Sequence, residues 1–156
     1  MSPDLSNNIE ALDVLVVDDD ADCRWLTRDA LTQTEHPCRI HEAATAEEAL
    51  AMLHRNDPAR EWVYPDVIFL DVEMPGMSGL ALVEQIKAHP DLRKIEVVFV
   101  TGIDLTESQR EAIHRSGALS LVFKTNDIMD MARALQRPLE KWFPIDPRER
   151  KKRGTA

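Results

Sequence analysis

Five short apolar runs, rich in β-branched residues, punctuate this chain, and the segments between them carry helical periodicity. Leu12–Val17 is the first run, followed by Asp22–Thr34 with Cys23, Leu26 and Ala30 at helical spacing. Arg39–Ala43 is the second. Thr45-Ala-Glu-Glu48 then reads as a capping box opening a helix with the stripe Ala46, Ala49, Leu50 and Leu53. Asp57–Tyr64, which contains Pro58, reads as a loop longer than the ~2–6 residues usual between a helix and a strand. Val67–Leu70 is the third run. Ser78 caps a helix bearing Leu82, Val83 and Ile86, which ends at His89-Pro90 because the residue before proline avoids the α region. Ile95–Val100 is the fourth run, Thr106–Gln109 a second capping box, and Leu119–Phe123 the fifth run. Ile128, Met131, Ala132, Leu135 and Leu139 mark the last amphipathic helix, and Pro144 and Pro147 end regular structure. Strands apolar throughout are covered on both faces, and strict alternation with helices makes the sheet parallel. The reading is an α/β chain with a doubly wound, five-stranded parallel sheet and five helices. An α+β arrangement would need hairpin turns that are missing here.

A length of 156 residues suits one compact domain. Acidic residues outnumber basic ones 28 to 19, for a net charge of −9. The basic stretch Arg148–Ala156 contributes +4, so the body carries −13, which argues against general binding to a nucleic-acid backbone. No apolar run approaches the ~18 residues of a membrane span. The N-terminus lacks the basic region and apolar core of a secretion signal. Cys23 and Cys38 make no disulfide framework, and a cytoplasmic protein with reduced thiols is expected.

Four apolar runs end in a polar residue: the first in Asp18-Asp19-Asp20, the third in Asp71, the fourth in Thr101, the fifth in Lys124. In open parallel sheets ligands bind outside the carboxyl ends of the strands, so these residues should converge. Asp18, Asp19 and Asp71 crowded together repel one another unless a cation sits among them. Mg²⁺ suits that oxygen-rich set, because it is typically held by one or two carboxylates together with phosphate oxygens. A lysine and a threonine hydroxyl add two groups able to hold phosphoryl oxygens. The chemistry suggested is phosphoryl transfer, with Asp71 as the carboxylate nucleophile.

The motifs Val16-Val-Asp-Asp-Asp20, Phe69-Leu-Asp-Val-Glu-Met-Pro-Gly-Met-Ser-Gly79, Val100-Thr-Gly102 and Val122-Phe-Lys124 resemble those of the receiver domain of two-component response regulators. The resemblance covers roughly residues 10–142 and implies the flavodoxin-like receiver fold. It divides the chain into an N-terminal extension (1–9), a receiver domain (10–143) and a basic, mobile tail (144–156). It implies that Asp71 accepts a phosphoryl group from a sensor histidine kinase. Asp19 would bind Mg²⁺ directly and Asp18 directly or through water, with Asp71 and the backbone carbonyl of Glu73 completing the protein ligands. Thr101 would hydrogen-bond the phosphoryl oxygen, and Lys124 would pair with Asp71 or its phosphate. The family is a phosphoacceptor that assists its own phosphotransfer and slow self-dephosphorylation rather than a true enzyme. Little of the chain lies outside the match, so output is expected through a downstream protein target or a phosphotransfer protein rather than an appended DNA-binding domain. The expected readout surface is the fourth helix, fifth strand and fifth helix, which also offers a homodimer contact. The long segment before the third strand, His89–Ile95 and Leu139-Glu-Lys-Trp-Phe143 are similar to stand-alone regulators that partner phytochrome-type photoreceptor kinases.

Several positions depart from the family pattern. Thr125 stands where proline usually follows the lysine, so the peptide after Lys124 is expected to be trans, the non-proline cis form costing ~2.5–4 kcal/mol. Leu121 occupies the usual aromatic switch position and cannot reproduce a ring swing. Phe123 shares its strand face by the period of two and is the candidate substitute. Gly102 leaves the phosphate open to water or a large partner. Glu73 and Ile103 hold positions that tune self-dephosphorylation, and apolar Ile103 points to a long-lived phosphate.

Other residues invite plainer readings. Asp20 and Asp22 read as helix-start residues. His36, Cys38 and His41 match no zinc spacing and read as exposed surface. Met74 and Met77 read as packing residues, the basic tail as a solvated end, and Trp142 and Phe143 as either core or a dimer contact. Two alternative functions stand beside the main one. A degenerate receiver acting only as an interaction scaffold is suggested by Leu121 and Thr125. An aspartate-nucleophile phosphatase is suggested by the DxD spacing of Asp18–Asp20, although Asp22 replaces the usual Thr or Val and the chain is short for one.

Overall fold

The computed structural model describes residues 11–54, 63–102 and 104–146. The expected N-terminal extension, most of the loop before the third strand, Ile103, Pro147 and most of the basic tail lie outside those residues. Five strands and five helices alternate: β1 (Leu12–Val17), α1 (Ala21–Thr32), β2 (Cys38–Ala43), α2 (Ala46–His54), β3 (Val67–Leu70), α3 (Gly79–Ala88), β4 (Glu96–Thr101), α4 (Glu107–Arg115), β5 (Ser120–Phe123) and α5 (Ile128–Trp142). The sheet order is β2-β1-β3-β4-β5 and all four pairings are parallel. The α/β doubly wound architecture expected from the alternation is therefore the one observed. The order reverses between β1 and β3, and a crevice opens at such a point beyond the strand ends.

Each strand divides its side chains between two cores by the period of two. Leu15, Val17, Ile68, Leu70, Val97 and Phe99 face α2, α3 and α4. Val14, Val16, Val67, Phe69, Val98, Val100 and Val122 face α1 and α5. Both faces of β1 and β3 are thus apolar, and the first polar residue after each strand marks the rim of the sheet.

Helix starts follow local chemistry. Asp20, Ser78, Thr106 and Asp127 cap α1, α3, α4 and α5 through side-chain oxygens that accept backbone N–H groups. Thr45 Oγ1 accepts the Glu48 N–H at 3.0 Å, and the Thr106–Gln109 capping box is complete. At the other end of α3, His89 adopts an extended backbone, as the following proline demands. The first helix stops at Thr32, two residues before its expected end. There the N–H groups of Gln33 and Thr34 turn to the carbonyls of Ala30 and Leu31, three residues back, and tighten the last turn. Pro138 stands inside α5, and burial of Met131, Ala132, Leu135 and Leu139 carries the helix past it.

The α1–β2 connection corrects one expectation. His36 is not surface; it is buried, with Nε2 2.7 Å from the Phe143 carbonyl and Nδ1 3.4 Å from Gln136 Nε2. Gln136 is oriented in turn by the Glu35 N–H, which donates to its Oε1 at 2.9 Å. The end of α5 runs back over this connection, and a carbonyl placed there needs a donor. Cys38 and His41 are half-buried rather than exposed, and burial pushes the Cys38 thiol up to about 11. Trp142 and Phe143 part company: Phe143 packs on the α1–α5 core, whereas Trp142 stays exposed. Met74 is buried and Met77 packs against the α2–α4 core, in line with their reading as packing residues.

Candidate functional site

Residues that end β1, β3, β4 and β5 meet at one edge of the sheet. Ladder hydrogen bonds continue one residue beyond two of the strands: the Asp18 N–H donates to Ala43 O at 3.2 Å, and the Asp71 N–H to Val17 O at 3.0 Å. Asp18 is therefore buried, Asp71 half-buried and Asp19 exposed. One ligand oxygen from each lies within 4.8 Å of the others, and among the described residues this is the sole cluster of three or more side chains of metal-ligating type. Asp20 and Asp22 behave as helix-start residues. Asp20 Oδ1 accepts the N–H groups of Asp22 at 2.8 Å and Cys23 at 3.2 Å, and Asp22 lies in the first turn of α1.

Lys124 reaches this acidic group from the end of β5. Its Nζ is 2.7 Å from Asp18 Oδ2 and 3.4 Å from Asp71 Oδ2. The lysine thus bridges two carboxylates, and its closer partner is Asp18, not Asp71. Burial pushes Lys124 down, but the hydrogen bond and charge of Asp18, with the charge of Asp71, more than offset this and hold it above the usual lysine range. Asp71 goes the other way. Burial raises its pKa, helped by the charge of Asp18 and opposed by Lys124 and by the Glu73 N–H, 3.4 Å from Oδ1.

One lysine facing three carboxylates leaves the cluster with an excess of negative charge, and every donor in it is a hard oxygen. That set fits a hard divalent cation such as Mg²⁺ or Mn²⁺. Thr101 is fully buried at the end of β4, and its carbonyl accepts the Lys124 N–H at 2.8 Å. Gly102 lies over the lysine stem, where an added Cβ would sit 3.5 Å from Lys124 Cδ, an ordinary contact. No peptide bond among the described residues is cis, so the one after Lys124 is trans as expected.

Leu121 packs against the core beneath α3 and α4. Phe123 lies opposite Thr101 in the β4–β5 register, two residues from Leu121 on the same strand face. The residue is 46% exposed, with the Arg110 guanidinium 5.8 Å from the ring centroid. That position is held by a cation–π contact on the surface, outside the core.

Four residues, Gly79, Gln109, Arg24 and Glu42, shape the site in ways that the motifs do not show. Gly79 opens α3 so close to the end of β3 that an added Cβ would lie 2.1 Å from the Asp71 carbonyl oxygen. Gln109 extends its capping role to the site: Oε1 accepts the Thr106 N–H at 2.8 Å, while Nε2 donates to Glu73 Oε1 at 3.2 Å. Arg24 donates from Nη1 to the Asp18 carbonyl at 2.8 Å, and its Nε lies 3.3 Å from Glu42 Oε1. Gly79 and Gln109 left a trace in the sequence, one as the last residue of the longest motif and the other as the end of a capping box. Arg24 and Glu42 left none.

Comparison with known proteins agrees with this geometry. Residues 14–136 match the response regulator receiver domain family. The DNA-binding transcriptional regulator NtrC of Salmonella typhimurium is 34% identical over 127 residues, covering 81% of this chain and 24% of that protein. The chain thus spans about a quarter of the length of that relative. Two solved structures share the fold: the Mn²⁺-bound form of response regulator Rcp1 (TM-score 0.72, 22% identity, 85% of this chain and 94% of that one) and the phosphorylated cyanobacterial phytochrome response regulator RcpA (TM-score 0.73, 21% identity, 86% and 95%). With its sheet order, its acidic rim and a match over most of its length, the chain belongs to the response regulator receiver domain family.

Proposed function

We propose that this protein is a phosphoacceptor whose Asp71 takes a phosphoryl group from a sensor histidine kinase. The observation that carries the reading is the placement of Lys124 between Asp18 and Asp71 at the topological switch point, with three carboxylates drawn together around it. An Asp71 carboxylate oxygen forms the new P–O bond as the P–N bond of the donor phosphohistidine breaks and the imidazole leaves. Lys124 favours the ionised, nucleophilic form of Asp71 against the effect of burial. Thr101 and Lys124 then hold the phosphoryl oxygens. Asp18, Asp19, Asp71 and the Glu73 carbonyl would hold Mg²⁺, which supplies charge neutralisation for the transferring group.

Output runs through protein contacts or onward phosphotransfer, and the self-dephosphorylation is slow. Fold likeness to a phytochrome response regulator, together with the C-terminal motif Leu139–Phe143, supports a phytochrome-type kinase as donor. A cytoplasmic location goes with such a donor, and no described helix is long and apolar enough to cross a membrane.

The test is to incubate the protein with Mg²⁺ and an acyl phosphate and to map hydroxylamine-labile phosphate. Label on Asp71 that is lost in Asp71→Asn supports the reading; no label, or equal label in the variant, overturns it. The surface position of Phe123 and the leucine at 121 favour a second reading, a scaffold that works without phosphate. Full partner regulation by Asp71→Asn would establish that one instead.

A further inference from the structure

The Arg24 guanidinium bonds the backbone of the acidic loop, whereas Lys124 meets its side chains. Arg24 Nη1 donates to the Asp18 carbonyl at 2.8 Å, and its Nε pairs with Glu42 Oε1 at 3.3 Å. The second oxygen of Glu42 binds Arg28 Nη1 at 2.9 Å. Glu42 and Ala43 are successive residues of β2, paired in register with Val16 and Val17 of β1. The end of β2 therefore holds Asp18 twice: Ala43 O accepts its N–H directly, and Glu42 holds its carbonyl through Arg24.

The Asp18 side chain is then oriented from two further sides, by the Asp20 N–H at 2.9 Å and by Lys124 at 2.7 Å. The Arg24 side chain is only 19% exposed, so this bond to a carbonyl is sheltered from water. Because Arg24 faces Glu42, the pair brings geometry to the loop with little net charge. A removed guanidinium would leave the 18–19 peptide without its anchor, while α1 would keep the cap supplied by Asp20.

We propose that Arg24, held by Glu42, is a positioning residue for the divalent cation. It fixes the Asp18 peptide so that the carboxylates of Asp18 and Asp19 meet the ion already oriented. The proposal rests on the phosphoacceptor reading above, since it takes those carboxylates as the cation ligands. Without the anchor, the loop must be ordered at the moment of binding, and the loss falls on metal affinity.

Isothermal titration of Mg²⁺ into the full, unphosphorylated chain tests this, with thermal melting of each variant in the absence of Mg²⁺. Arg24→Met is expected to weaken Mg²⁺ binding about tenfold, with the melting temperature within a few degrees of wild type. Arg24→Lys keeps a donor able to reach the carbonyl and should recover much of the affinity. Glu42→Gln should fall between, since it loosens the guanidinium and leaves its charge uncompensated. Wild-type affinity in Arg24→Met overturns the proposal, as does an affinity loss in all three variants that merely follows their loss of melting temperature. If Arg24→Met does not fold, Arg24→Lys and Glu42→Gln decide by the same criteria. A wild-type chain that binds no Mg²⁺ overturns the phosphoacceptor reading and this proposal with it; wild-type binding matched by Arg24→Met overturns this proposal alone.

Discussion

Asp18 and Asp71, at the ends of the central strands β1 and β3, are each held by a ladder hydrogen bond as well as by side-chain contacts to Lys124. Phe123, at the end of the edge strand β5, leaves nearly half its ring in solvent and is steadied by Arg110 alone among the ring contacts described. The two regions lie on one sheet rim and differ in how much of each residue the fold specifies. At the switch point, strands on both sides and helices above and below settle where each carboxylate goes. At the edge, β5 pairs with one strand only, and the Phe123 side chain lies beyond the two cores that Leu121 and Val122 join. The chemistry is built where the fold is over-determined, and the surface that differs from the family pattern is built where it is not.

Substitutions can break or sharpen that contrast. The largest effect is expected from Gly79→Ala, whose Cβ must push on the Asp71 carbonyl oxygen. Overpacking against backbone with no side chain to yield should destabilise the fold by about 3 kcal/mol, read from urea unfolding, and abolish label on Asp71. An unchanged midpoint would mean that the loop between β3 and α3 is soft, and the contrast would fail there. Next comes Lys124→Met, which leaves buried Asp18 facing Asp71 without its counter-charge. A cost of about 2 kcal/mol is expected, less than for a fully dry pair because Asp19 and the crevice admit water. Mg²⁺ should stabilise this variant more than wild type, since the cation replaces the lost charge.

Phe123→Ala should cost less than about 1 kcal/mol, since much of the ring is already in water, and should leave the rate of Asp71 labelling unchanged. A slowed rate would tie the edge to the chemistry. The smallest effect is expected at the opposite rim. Asp13 is held below the usual carboxylate range by its hydrogen bond to Arg39, against the upward push of burial. A carboxylate with a lowered folded pKa stabilises the protein above its unfolded pKa, near 3.8, and loses that contribution as pH falls through the folded value. Arg39→Ala should therefore cost a few tenths of a kcal/mol at neutral pH, the pair being a third or more exposed, and nothing in strong acid. Equilibrium unfolding at two pH values checks it.

Much of the fold was legible because its signals are local. The β-branched runs of β1, β3 and β4 could be read from a handful of adjacent residues, and so could the Thr106–Gln109 box and the stripe of α5. The gathering of Asp18, Asp71, Thr101 and Lys124 was legible too, because one general rule places ligand chemistry at the carboxyl ends of parallel strands. His36 was misread because its partner, the Phe143 carbonyl, lies 107 residues away, and no local pattern announces a backbone acceptor. The preference of Lys124 for Asp18, the bridge from Gln109 to Glu73 and the anchor from Arg24 share this character. The first two join elements far apart in the chain, and the third joins α1 to the end of β1 in a geometry that Glu42 of β2 sets from outside.

The sequence by itself determined the alternation of strands and helices, the caps that start four of the helices, and which residue types stand at the strand ends. Those are consequences of backbone propensity and the two side-chain periods, which act over a few residues. Tertiary structure alone decided which carboxylate the lysine meets first, which glycine lies against the Asp71 carbonyl, and which arginine bonds the Asp18 carbonyl. Those depend on how close packing brings one element to another, and close packing is a property of the whole fold.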